Sequence, residues 1–190
     1  MAKVIIITGP SGVGKGTIER ELLADSALNL AFSVSATTRG RRSNEIEGQH
    51  YFFISAAEFA NRLAAGEFLE YSKHFDNYYG TLRSEIARKL AQNQNVLVEV
   101  ETTGAINIIS QYKRANQSDE LVTIFIAPPS LRELKARILK RNSETRRSLR
   151  KRLKKAKREL KYQIYFQHIV KNDNIKEAIA QVRQIILEEC

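Results

Sequence analysis

The 190-residue chain has no tryptophan, one cysteine and three prolines. With Cys190 alone, an internal disulfide framework and a zinc site built on several cysteines are excluded. A reducing compartment, the cytoplasm, is the expectation. Long apolar runs are missing too. Stretches such as Val4–Ile7 fall far short of the roughly 18 residues a membrane span requires. Met1-Ala2-Lys3 leads straight into that run without the layout of a secretory leader, so secretion and membrane insertion are set aside. Nor is there a general excess of one charge, despite a formal net of +10. Arg146–Lys161 holds ten Lys/Arg and one acid, Glu159, whereas the rest of the chain has 21 bases against 20 acids. A basic excess so localised asks for a local anion, either nucleic acid or phosphate groups.

What is present is enough chain for one sizeable core, burying roughly 70% of the unfolded surface. Short β-branched runs alternate with helical stretches. Lys3–Thr8 reads as a buried strand, followed by a glycine-rich turn and a helix to about Leu23. Ala31–Thr38 alternates apolar and hydroxylated residues, which predicts one strand with Ser33, Ser35 and Thr37 on its open face. Tyr51–Ile54, Phe68–Phe75, Val96–Glu101, Leu121–Ala127 and His168–Val170 read as further strands. Ser55 with Glu58, and Ser130 with Glu133, have the spacing of capping boxes that open helices. Strands alternating with helices imply a mainly parallel sheet covered on both faces. The stretch from about Ser33 to Tyr79 breaks that rhythm and is dense in Arg, Glu and Tyr. It reads as an inserted mixed subdomain that binds something polar.

The sharpest local signal is Gly9-Pro10-Ser11-Gly12-Val13-Gly14-Lys15-Gly16-Thr17, between the first strand and the first helix. The spacing of Gly9, Gly14 and Lys15 is that of a P-loop. Its glycines let successive N–H groups turn inward, and the helix N-terminus adds partial positive charge for a phosphate. Gly16 stands where Ser or Thr is usual, with Thr17 one place later. Such a cradle serves ATPases, GTPases and small-molecule kinases alike. A guanine-reading Asn-Lys-x-Asp segment is missing, because Val170-Lys171-Asn172-Asp173 has the wrong order.

Beyond the cradle, Ser33-Val34-Ser35-Ala36-Thr37-Thr38-Arg39-Gly40-Arg41-Arg42 is followed by Glu45, Gly48 and Tyr51-Phe52-Phe53. Phe68-Leu69-Glu70, Asn77-Tyr78-Tyr79-Gly80-Thr81, Gly104-Ala105, Pro128-Pro129-Ser130 and Asn172-Asp173 come next. In this order, over nearly the whole chain, they resemble the guanylate kinase family. The resemblance implies an α/β P-loop three-layer fold with a central parallel sheet, an inserted mixed α/β GMP-binding subdomain and a helical lid. It implies one domain over 1–190, with core 1–32, 82–130 and 163–190, GMP-binding subdomain 33–81 and lid 131–162. The implied reaction transfers the γ-phosphoryl group of ATP to GMP, with Mg2+ as cofactor and dGMP as a further acceptor. No membrane and no obligatory nucleic acid is implied, and the assembly is expected to be a monomer or a homodimer.

Residue by residue, the resemblance assigns ATP to Gly9, Pro10, Ser11, Gly12, Val13, Gly14, Lys15, Gly16, Thr17 and Asn172, the last beside the adenine. It assigns GMP to Ser35, Arg39, Arg42, Tyr51, Glu70, Tyr79, Thr81 and Glu101. Lys15, Arg39, Arg137, Arg141 and Arg152 are the implied catalytic cations, and Thr17 and Glu99 the implied approach to the metal, through water. The chemistry is reasonable on its own terms. Two guanidinium forks and two phenols suit a monophosphate. A carboxylate accepts both guanine N1–H and the exocyclic amine, but faces a lone pair at adenine N1. Glu99 and Glu101 replace the family's Asp-x-Asp on the expected strand, each one methylene longer. Three readings compete with this one: a non-catalytic binding module of the same fold, a nucleic-acid binder using the basic segment, and a kinase for another monophosphate such as AMP.

Overall fold

In the computed structural model, residues 1–74, 76–139 and 146–190 are described. Two sheets organise them. The larger has five parallel strands in the order β2 (Leu30–Phe32), β7 (Asn95–Glu99), β1 (Val4–Thr8), β8 (Leu121–Ala127) and β9 (His168–Lys171). Central β1 shows why both faces must be covered. Ile5 and Ile7 enter one apolar core with Ile18, Leu22, Val182 and Ile186, whereas Val4 and Ile6 enter a second with Ile86, Ala105 and Ile108. This period-two division places α1 (Lys15–Leu23) and α7 (Ile175–Glu189) on one face, and α3 (Arg83–Ala91) and α4 (Thr102–Arg114) on the other.

The smaller sheet has the order β4 (Phe52–Phe53), β3 (Ala36–Thr37), β6 (Asn77–Leu82) and β5 (Phe68–His74). Its core is made by Ala36, Phe59, Phe68 and Leu82, with Phe59 stacked on Phe68 at 4.4 Å. Phe59 comes from α2 (Ala56–Ala64), whose N-cap Ser55 accepts from the Glu58 N–H at 3.0 Å. Ser130 caps α5 (Leu131–Leu139) in the same way, accepting from the Glu133 N–H at 3.1 Å. Both expected N-cap serines are therefore in place, whereas the Glu58 carboxylate of the first box accepts from Arg62 at 2.7 Å instead of reaching back to its N-cap. The basic segment forms α6 (Arg146–Glu159), which buries Ala156 and Glu159.

Three strand expectations need correction. Ala31–Thr38 is not one strand. The chain pairs with β7 through Phe32, and the Ser33 N–H still reaches the Leu97 carbonyl at 2.8 Å, before Ala36 joins the other sheet. Ser33 and Thr37 are buried rather than presented, and the Thr37 hydroxyl donates to the Tyr78 carbonyl at 3.0 Å. Second, β7 ends at Glu99, and Glu101 is already the N-cap of α4, so the two carboxylates do not share a strand face. Third, Asn77–Leu82, read only as a motif, is the strand that pairs with β5. The expected end of β5 at Phe75 lies outside the described residues.

Candidate active site

The ends of β1, β7, β8 and β9 carry the glycine loop, Glu99 to Glu101, Pro128 and Asn172 on one side of the parallel sheet, where ligands of open α/β sheets bind. The glycine loop is shaped by two contacts that exclude a side chain. Gly9 has φ 147°, and a Cβ there would collide with the Ile126 carbonyl of β8. Gly14 has φ 106°, and its Cβ would lie 2.6 Å from the Asn172 amide nitrogen. Asn172, 2% exposed, donates that amide to the Val13 carbonyl at 2.8 Å. It thus ties the loop to the end of β9. At Gly16, by contrast, an added Cβ would meet nothing within 4 Å. Gly14→Ala is therefore expected to lower stability by about 2 kcal/mol, or about 4–8 °C in Tm. Gly16→Ala, inside α1 with free space and an ordinary backbone, should instead raise the melting temperature by about 1–4 °C, and thermal melts of the two variants check this.

Lys15 opens α1 and donates to the Gly9 carbonyl at 2.7 Å and the Pro10 carbonyl at 3.4 Å. Burial pulls its ammonium below the ordinary lysine value, against the fields of Glu19, Glu99, Glu159 and Glu101. Glu19, one helical turn on, is 5% exposed, with Oε1 lacking a hydrogen-bond partner among the described residues. Burial, then the nearby Glu99, pushes its carboxyl up to about 8. The sequence reading passed over this acid, although its i+4 spacing from Lys15 was a usable signal.

Just after β3, Arg39 holds both oxygens of Glu45 in a fork at 2.7 and 3.0 Å. Its guanidinium lies 5.5 Å from the centre of the Tyr51 ring and 5.7 Å from that of Phe53. Tyr51 and Tyr79 meet edge to face at 5.9 Å. Hydrogen bonding to Arg39, then to the Arg42 backbone N–H, draws the Glu45 carboxyl down to about 2. Burial, then Glu99, pushes the Tyr51 phenol up. Arg39, Tyr51 and Tyr79 are thus assembled. Arg42 is exposed and joins through its N–H to Glu45 at 2.8 Å, while Ser35 is half-buried, with its carbonyl accepting from Phe52. Glu45, which orients the arginine, was seen in the sequence only as part of a motif.

Glu70 and Thr81 are direct partners in the antiparallel register of β5 and β6, just past a bulge after Phe68. Thr81 is buried, and the Glu70 carboxyl packs where any Cβ on Gly104 would intrude, at 2.6 Å. Burial, then Glu101, raises the Glu70 carboxyl to about 7. Glu101 makes no cap hydrogen bond. Its Oε1 instead receives Lys155 of α6 at 2.6 Å and lies 3.6 Å from His74 Nε2. Of the arginines expected over the phosphates, Arg137 donates to the Asp173 carbonyl at 3.3 Å and Arg152 is exposed on α6. Arg141 lies outside the described residues.

Glu99, exposed at the end of β7, acts electrostatically on Lys15 and Glu19 of the loop side and on Tyr51 of the opposite cluster. Among the described residues no helix is long and apolar enough to cross a membrane.

The profile of the family described as Guanylate kinase matches residues 1–189. A guanylate kinase of Mycoplasma mobile is 48% identical over 187 residues, covering 98% of this chain and 93% of that protein. One from Mesomycoplasma hyopneumoniae is 49% identical over 189 residues, covering 100% and 96%. The crystal structure of guanylate kinase from Anaplasma phagocytophilum superposes with a TM-score of 0.75 at 28% identity, covering 99% of this chain and 86% of that one. With its P-loop, its paired Glu70 and Thr81 and a match along essentially its full length, the chain belongs to the guanylate kinase family.

Proposed function

We propose that the chain carries out ATP + GMP = ADP + GDP, with donor and acceptor phosphates meeting across Glu99. The observation that carries this reading is the glycine loop with Lys15 at the head of α1 in a chain that also assembles Arg39, Tyr51 and Tyr79 and pairs Glu70 with Thr81. Backbone N–H groups of Gly9–Thr17 hold the triphosphate, and the Lys15 ammonium moves from its two carbonyl partners onto the β- and γ-phosphates. Arg39, Arg42, Tyr51 and Tyr79, with Ser35 beside them, hold the acceptor phosphate. Its anionic oxygen forms the new bond to the γ-phosphorus as the bond to the ADP oxygen breaks, so no general base is required. Arg137, Arg141 and Arg152 of the lid meet the charge spread over the transferring group. Glu70 accepts from guanine N1–H and its amine, with Thr81 and Glu101 alongside.

Residues 33–81 then form the acceptor subdomain, 131–162 the lid, and the remainder the core. Among the described residues no three His, Cys, Asp or Glu side chains gather as a metal site. Mg2+ keeps several waters and binds through phosphates and one or two carboxylates. Exposed Glu99 and Thr17, beside the open space at Gly16, fit such a water-mediated approach. When bound, the ion neutralises charge on the donor phosphates. The enzyme works in the cytoplasm as a monomer or homodimer, without membrane or nucleic acid.

Coupled measurement of ADP formation tests the assignment. GMP and dGMP should both turn over, because none of the acceptor residues named needs a 2′-hydroxyl. AMP and UMP should be at least about tenfold poorer in kcat/KM, since each leaves Glu70 without both donors. Equal rates with GMP and AMP would overturn the base assignment.

A further inference from the structure

We propose that Lys155 is a positioning residue for the acceptor site, fixing the Glu101 carboxylate from the lid helix so that it meets the edge of guanine. This rests on the reading that Glu101 faces the base. Glu101 is the N-cap residue of α4, a position where the short Ser, Thr, Asp and Asn cap their own helix, and its longer carboxylate makes no such bond. Its Oε1 is drawn outward by Lys155 Nζ at 2.6 Å, a contact spanning 54 residues of sequence, and His74 Nε2 approaches the same atom at 3.6 Å. Three parts of the fold therefore converge on one oxygen: α4 of the core, α6 of the lid, and β5 of the smaller sheet.

The convergence has a physical consequence. Glu70 and Glu101 bring negative charge to the place where a nucleotide dianion must enter. Lys155 offsets part of that charge, and it holds a long, rotatable side chain in one orientation before the base arrives. Glu159, 3.9 Å from Lys155, shares the cation. The pair is only partly shielded, with side-chain exposures of 51% for Lys155 and 38% for Glu101, so its effect is modest. The γ-phosphoryl group is not touched by it, so affinity for GMP should move while the chemical step does not.

Steady-state kinetics on the full chain separate these outcomes. Lys155→Met, which keeps the stem and removes the charge, should raise KM for GMP about three- to fivefold. Both kcat and KM for ATP should stay within about twofold. Lys155→Arg should restore most of the GMP affinity. Glu101→Gln should raise KM for GMP about tenfold, and Lys155→Met added to it should change nothing further, as expected of two residues acting through one contact. If Glu101→Gln raises KM for GMP and Lys155→Met does not, the positioning role is wrong and the base reading stands. If Glu101→Gln leaves KM for GMP unchanged, the base reading of Glu101 fails. A parallel fall of kcat and ATP affinity in Lys155→Met would show a general lid defect and overturn the proposal.

Discussion

Lys15→Ala should lower kcat by about a thousandfold or more, with KM for GMP changed less than about threefold. The ammonium stands at the start of α1, where loop N–H groups and the helix terminus already favour a phosphate. It is the element of that cradle that follows charge as it moves onto the bridging and γ-oxygens. Removing one preorganised donor aimed at such charge costs about 10²–10³ in rate, and a full cation at a phosphoryl group sits at the upper end of that range. Lys15→Arg should not rescue, because a planar fork replaces a point charge among the carbonyls of Gly9 and Pro10. The fold should survive. Burial holds the Lys15 pKa below its unfolded value, so the folded state binds fewer protons and gains stability as pH rises past the depressed value. Losing that charge therefore removes a cost at neutral pH, and the variant's melting temperature should equal or exceed the native one there. Single-turnover kinetics and thermal melts together check this. A variant that folds and retains more than a tenth of native kcat would overturn the role of Lys15.

The contrast between Lys15 and Lys155 explains which parts of this enzyme could be read from sequence. The glycine loop is contiguous, and its chemistry depends on backbone shape, so Gly9, Gly14 and Lys15 announce it. The alternation in Ala31–Thr38 correctly signals extended chain, but periodicity carries no information on which sheet each half joins. The switch at Ser33 to Ser35 is set by pairing with Leu97 on one side and Phe52 on the other. Glu70 and Thr81 were suggested by resemblance alone, because their adjacency depends on antiparallel register past a bulge. The Asn172 amide is bonded to the Val13 carbonyl, a contact across 159 residues that no local pattern encodes. Lys155 is one base among ten in its segment. Only the packing of α6, with Ala156 and Glu159 turned inward, brings that one lysine onto Glu101. Glu19 is the counterexample, since its spacing from Lys15 was visible and its burial was not.

Glu70→Gln should lower kcat/KM for GMP about a hundredfold and shrink the preference over AMP by a similar factor. The carboxylate offers two acceptors to guanine N1–H and the exocyclic amine, whereas glutamine presents one acceptor and a donor. A donor then faces a donor in a site where Thr81 is buried and the Glu70 carboxyl packs close against Gly104. Two charge-assisted bonds lost or inverted amount to about 3 kcal/mol. The same amide donates to adenine N1, so AMP should suffer little or improve. The pH dependence gives an independent readout. Burial, with Glu101 adding to it, raises the Glu70 carboxyl from the ordinary 4.5 to about 7. Reading guanine requires the ionised form, so native kcat/KM for GMP should climb with pH up to about 7, and that rise should be absent from the variant. Stability runs the other way. Between about 4.5 and 7 the folded protein holds a proton that the unfolded chain has released, so this group's contribution falls as pH rises through that window. Above pH 7 the whole penalty of a buried charge is present, and glutamine removes it. The variant should therefore melt higher than the native protein at pH 8, with the gap closing toward pH 4.5. A pH-independent loss of GMP turnover, with AMP falling in parallel, would show that Glu70 supports the strand pair rather than the base.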